Sequence, residues 1–274
     1  MRRFHFGSVF AAGAIIAGAL MVAAAPAHDA APMADKTTDA VGSPQNVTFY
    51  GPSQPFGNGT IKTYAVVDKS GNPTEVGLRL SESALQGLPD ENTDLHLALP
   101  DQAKMTVFDH VMANWNPHGH RPAMLFDKPH FDFHFYMVDM ATEQAVDPAD
   151  PNFADRAANH PAPQYVPKDY AAMPDNAVPF MGVYWTDTTQ QLIPGQYEFT
   201  SILLNGSWNG RYTFLEPMVS RDFLLTKPAL TEEVKQPRAF QKTGFYPTIY
   251  QIRYDPAAKE YSIALCGLQN HTAS

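Results

Sequence analysis

Prolines interrupt this chain so often, 24 in 274 residues, that long helices are hard to accommodate in it. Each interior proline removes a backbone donor and clashes with the turn before it. Between them lie short runs rich in β-branched and aromatic residues: Ile61 to Val67, Val76 to Leu80, Leu95 to Leu99, Met105 to Met112, His130 to Asp139, Met181 to Trp185, Tyr197 to Leu204, Tyr212 to Leu215, Thr248 to Tyr254 and Tyr261 to Leu265. These are strand length, and Gly, Pro, Asn and Asp clusters separate them. The expected fold class is therefore all-β, an antiparallel β-sandwich or barrel with long loops and few short helices.

Two hairpins are readable. Asn209-Gly210 suits a two-residue turn that needs positive φ at both positions, with Asn205-Gly206 as the competing turn. The other hairpin joins Ile249–Tyr254 to Tyr261–Leu265 through Asp255-Pro256-Ala257-Ala258. Ser81 to Gly87 reads as a short helix with Ser81 as its cap and Gly87 as its stop. Residues 147–179, dense in Pro, Asp and Ala, are expected to form a long loop acting as a lid or subunit contact.

At the N-terminus, Arg2 and Arg3 precede an apolar stretch from Val9 to Ala25 that ends in Ala25-Pro26-Ala27. A positive start, an apolar middle and a small-x-small exit predict a cleaved signal peptide over 1–27. A flexible tether over 28–46 and a single β-rich domain over 47–274 follow, in a protein that is periplasmic or secreted and has no membrane attachment after cleavage. The lone cysteine, Cys266, cannot close an intrachain bridge. An exported chain without a disulfide must be held by its core, a metal, or copies of itself, which keeps a homo-oligomer among the options. Twenty-eight acidic against 19 basic residues give a net charge of -9, which disfavours nucleic acid as a partner.

Five of the ten histidines, His110, His118, His120, His130 and His134, fall within 25 positions. In the run from His130 to Met137 polar and apolar residues alternate. As a strand it sets His130, Asp132, His134 and Tyr136 on one face and Phe131, Phe133, Phe135 and Met137 on the other. The aromatic face belongs in a core; the polar face meets water or lines a cavity. At about 3.3 Å per residue His130 and His134 stand about 13 Å apart, too far to share one ion readily. Either Pro129 leaves His130 outside the regular strand, or only one of the two is a ligand, with Asp132 as a further ligand or as the acceptor that orients an imidazole. His118-Gly119-His120 supplies the complement, since two imidazoles two residues apart on extended chain point the same way.

The expected metal ligands are thus His118, His120, His130 and His134, holding a divalent metal. Zn is favoured by the His-rich donor set, with Mn, Fe, Ni or Cu as alternatives. Asp132 or Glu216 is the expected proton acceptor, and Glu216, standing at a strand end in apolar company, reads equally as a ligand or an edge carboxylate. Tyr184 and Trp185 read as core or pocket lining, and His96 has no partner in the sequence.

The blocks Trp115-Asn116-Pro117-His118-Gly119-His120, Pro129-His130-Phe131-Asp132-Phe133-His134-Phe135-Tyr136, Pro179-Phe180-Met181-Gly182, Glu216-Pro217-Met218 and Gly244-Phe245-Tyr246-Pro247-Thr248 together resemble an exported bacterial family of unknown function. That family is typified by a Thermus protein under extracytoplasmic-stress sigma-factor control. This chain departs from it at Tyr184, where the family has His, and at Arg121, where it has an acid, so neither position is assigned a ligand. The resemblance implies a β-rich, self-associating extracytoplasmic protein and supplies no reaction. Two functions follow from the residues. One is a metal-dependent hydrolase or lyase acting on a small molecule; the other is a non-catalytic metal-binding or structural, self-associating envelope-stress protein. A catalytic site keeps an open coordination position beside a pocket, whereas a structural one is closed by four protein ligands.

Overall fold

The computed structural model describes residues 46–274, the side chains of 174–176 excepted. The expected export signal, and the tether up to position 45, lie outside the described residues.

The described residues form sixteen strands, arranged as expected for an antiparallel sandwich. The first sheet contains β1 (Val47–Tyr50), β2 (Gln54–Phe56), β3 (Gly59–Val67), β4 (Pro73–Ser81), β12 (Ala229–Glu233), β14 (Ile249–Asp255) and β15 (Glu260–Cys266), in the order β1-β3-β4-β15-β14-β12 with β2 also on β3. The second contains β5 (Thr93–Ala98), β6 (His110–Asn116), β7 (His130–Tyr136), β8 (Tyr170–Val178), β9 (Gly182–Asp187), β10 (Ser201–Trp208) and β11 (Arg211–Ser220), in the order β5-β6-β7-β11-β10-β9-β8. A small ribbon pairs β13 (Gly244–Tyr246) with β16 (Gln269–His271). Among the described residues no helix is long and apolar enough to cross a membrane.

The core lies between the two large sheets because each offers one face of alternating apolar residues. Val76, Leu78, Leu80, Ile252, Ile263 and Leu265 come from the first; Val111, Ala113, Phe131, Phe133, Phe135, Leu215 and Val219 come from the second. Phe56 meets Phe131 across the gap at 5.8 Å between ring centroids. The alternation expected for β7 is therefore present, yet all seven of its residues are buried. Its polar face is covered by Leu125 and Phe126 from the segment after β6, by α1 (Met140–Gln144), and by Tyr184 and Phe199.

Both hairpins form. Trp208 pairs with Arg211 around Asn209 and Gly210, whose φ values are 48° and 82°, while Asn205-Gly206 lies inside β10. Asp255 pairs with Glu260 to close the other turn. Ser81 to Gly87 holds a 3-10 turn over Glu82–Leu85, and the Ser81 hydroxyl accepts from the Thr60 N–H rather than capping that turn.

Three expectations need correction. Residues 147–179 are not one loop, for they contain α2 (Phe153–Ala158) and the edge strand β8. Pro174 argues against a strand only where every N–H must pair, and the β8 ladder to β9 is interrupted between Ala172 and Ala177. The strand read as Met105 to Met112 instead starts at His110 and runs to Asn116. Asn114 and Asn116 are tolerated there because their amides donate to the carboxylates of Asp94 and Asp132. Finally, β11 continues past Glu216-Pro217 to Ser220. Its pairing with β7 skips these two residues between Leu215 and Met218, which accommodates the missing proline donor.

Candidate metal centre

The covered face of the second sheet carries an unusual amount of buried polar chemistry. His130 and Asp132 project from β7, with Asn116 opposite His130 and Asn114 opposite Asp132 on β6. The segment after β6 turns back through Gly119 and bridges onto itself at His120 and Phe126, which lowers the His120 ring onto this face. The His120 and His130 rings meet edge-on, 4.6 Å between centroids. His130 is fully buried, and the Asp132 side chain is 5% exposed.

The hydrogen bonds settle which ring nitrogens point inward. His120 Nδ1 donates to the Arg121 carbonyl and His130 Nδ1 donates to the Lys128 carbonyl, each at 2.7 Å. In a neutral ring the other nitrogen, Nε2, is then a lone-pair donor. His120 Nε2 lies 3.1 Å from Asp132 Oδ2, and His130 Nε2 lies 3.2 Å from Asp132 Oδ1, the latter without hydrogen-bond geometry. The ligand atoms all lie within 4.8 Å of one another. Electron pairs so apposed require either protons or a cation between them. Burial alone would lower the His120 imidazole, but its contact with Asp132 outweighs that and holds it above its ordinary value. Burial alone would raise Asp132, yet the two imidazoles hold its carboxyl well below the carboxylate range. The Asn116 amide donates to Asp132 Oδ2 at 2.7 Å and fixes the carboxylate's orientation.

This group opens on a cavity of about 460 Å³. His120, Asp132, Asn114, Asn116, Asp94 and Tyr184 supply its polar wall, and Phe126, Met173, Met181 and Leu204 supply its apolar one. A few convergent polar groups in an apolar pocket are the usual make-up of a small-molecule site.

The remaining expected residues fall elsewhere. His118 is 71% exposed in its side chain and turns to Asp90, with Nε2 3.2 Å from that residue's carbonyl oxygen. The two imidazoles of His118-Gly119-His120 share a direction only on extended chain, and Gly119 at φ 68° breaks that geometry. His134 is separated from His130 along the strand, as its spacing requires, and joins a different set. Its Nε2 lies 3.1 Å from the Tyr184 hydroxyl and 3.2 Å from Glu216 Oε1. Glu216 is fully buried with no hydrogen bond to either oxygen. Burial first, and then the charge on Asp132, push its carboxyl well above the carboxylate range.

Burial also pushes the His134 imidazole down to about 4. A folded value below the ordinary one means that its stability contribution is present above about pH 6.5 and is lost as the pH falls toward 4. Metal-stripped protein is expected to lose on the order of 3 kcal/mol over that interval from this residue. Urea titrations across the interval should show a shallower decline for His134→Gln; equal declines would refute the assignment.

A second group was not legible in the sequence. His96 on β5, His110 on β6 and Glu143 on α1 converge, with His96 Nε2 2.9 Å from Glu143 Oε1 and His110 Nε2 2.7 Å from Glu143 Oε2. Glu143 stands 47 residues from His96 and 33 from His110, so no local motif joins them.

With this geometry in place, the comparisons with known proteins add one finding. Residues 68–115 match the TTHB210-like family, described as hypothetical protein TTHB210. The resemblance to a family of unknown function is borne out over that stretch, which includes His96 and His110 and stops short of His120. No curated protein and no solved structure matches the chain.

Proposed function

We propose that this is an exported divalent-metal protein centred on His120, His130 and Asp132, acting by hydration or hydrolysis on a small molecule held in the adjoining cavity. The observation that carries this reading is the pair of imidazoles whose outer nitrogens are committed to backbone carbonyls, leaving two lone pairs and one carboxylate aimed at a common point. Carbonyls behind ligating imidazoles are the usual support of a metal site. Two imidazoles and a carboxylate suit zinc, and three protein ligands leave room for water and substrate. In this reading Asp132 is a ligand and Asn116 orients it.

Metal analysis of zinc-replete, desalted protein tests the ligand set. His120→Ala and Asp132→Asn should each lose one equivalent relative to the parent, and His118→Ala should lose none. Retention by both of the first two variants would remove the centre. Cobalt substitution tests the open position: the visible absorption should shift when azide is added. A spectrum indifferent to azide would mean a closed, structural site.

A further inference from the structure

The group formed by His96, His110 and Glu143 shares no residue with the centre above. Glu143 is 2% exposed and belongs to α1, a helix of five residues. A helix so short does not persist on its own. It is held by an Asp139 cap that accepts from the Thr142 N–H at 2.8 Å, and by Glu143 reaching both histidines. His110 stacks on Tyr136 at 4.9 Å and 12°, which sets its ring plane. Its Nδ1 faces Asp109 Oδ1 at 3.0 Å, and its Nε2 faces Glu143. Both nitrogens therefore meet carboxylates, one on each side of the ring. A divalent ion fits this arrangement: Nδ1–H donates to Asp109, while Nε2 offers its lone pair to the metal. A carboxylate, like a backbone carbonyl, is a usual support behind a ligating imidazole.

We infer that His96 Nε2, His110 Nε2 and the Glu143 carboxylate form a second divalent-metal site, with Asp109 as a positioning residue behind His110, and that the ion straps α1 to the sheet. The three ligand atoms lie within 4.8 Å of one another. The His96 side chain, 36% exposed, leaves an approach from solvent. Two nitrogen donors out of three select Zn²⁺ or Co²⁺ over Mg²⁺ and Ca²⁺, which require oxygen shells.

The test uses Asp132→Asn protein, from which the first centre has been removed, titrated with Zn²⁺ by calorimetry and followed by thermal unfolding. One equivalent should still bind, and at a hundredfold excess over its Kd the apparent folding constant should rise about a hundredfold. Adding Glu143→Gln should abolish both effects. His96→Ala, a change at a half-exposed position that leaves the core intact, should do the same if the Glu143 variant fails to fold. Asp132→Asn protein that binds no zinc, or a His96→Ala derivative that keeps its equivalent, would overturn the second site. The first centre is judged separately, by the difference between parent and Asp132→Asn. If both bind a single equivalent that His96→Ala removes, the first centre fails and the second stands.

Discussion

Phe133→Ala is expected to lower the unfolding free energy by about 3–5 kcal/mol, the range for truncating a fully buried aromatic side chain. Phe133 has no exposed surface and stacks beside Phe131 at 6.0 Å and 8°. The size of the effect depends on whether the hole can close. Here β7 is bonded to β6 on one side and β11 on the other, so the strand cannot slide inward without breaking two ladders. The opposing wall is the aliphatic face of the first sheet, itself paired along its length. Urea unfolding should show a lower midpoint with an unchanged slope. Because the ring points away from the polar face of β7, the folded variant should still bind metal at His120, His130 and Asp132. A loss below about 1 kcal/mol would show that the two sheets do not meet at Phe133 as described.

That prediction rests on the part of the structure most legible beforehand. The two-residue period of a strand is a local property, so the opposition of Phe131, Phe133 and Phe135 to His130, Asp132 and His134 follows from the order of residues alone. The same spacing correctly separates His130 from His134. What the sequence does not carry is which segments cover the polar face. Asn114 and Asn116 look like strand breakers until Asp94 and Asp132 are seen to accept from them. His96 has no local partner because its partner comes from a helix after the next two strands. Glu216 reads as a strand-end carboxylate only while its surroundings are unknown; it is fully buried, and burial together with the Asp132 charge pushes its carboxyl upward. These failures gather on one buried face, where polar groups cost stability unless each is satisfied, and that concentration is expected of a functional surface.

The placement of His120 hangs on one backbone conformation, and Gly119→Val should therefore remove the first centre while leaving both sheets folded. Gly119 has φ 68°, a region open to glycine and costly for a β-branched residue. Space forbids the change as well. An added Cβ would be driven into the Phe126 carbonyl oxygen and would stand 2.6 Å from the Asp127 Cα, both of them backbone atoms that cannot rotate away. The loop can relieve the clash only by giving up the contacts that close it, the Gly119 N–H to the Asn116 carbonyl at 3.3 Å and the His120 N–H to the Phe126 carbonyl at 3.1 Å. Once these open, His120 Nε2 no longer faces Asp132. Metal affinity at this centre should fall by more than the roughly 10–100-fold typical of losing a supporting group, because a ligand itself is withdrawn. The site at His96, His110 and Glu143 lies outside the loop and should keep its ion, so zinc content should drop by one equivalent and not two. His118→Ala provides the contrast, since it removes a histidine from the same loop without touching the turn. If Gly119→Val retains full zinc content, the loop does not position His120 as a ligand, and the centre must be built from other residues.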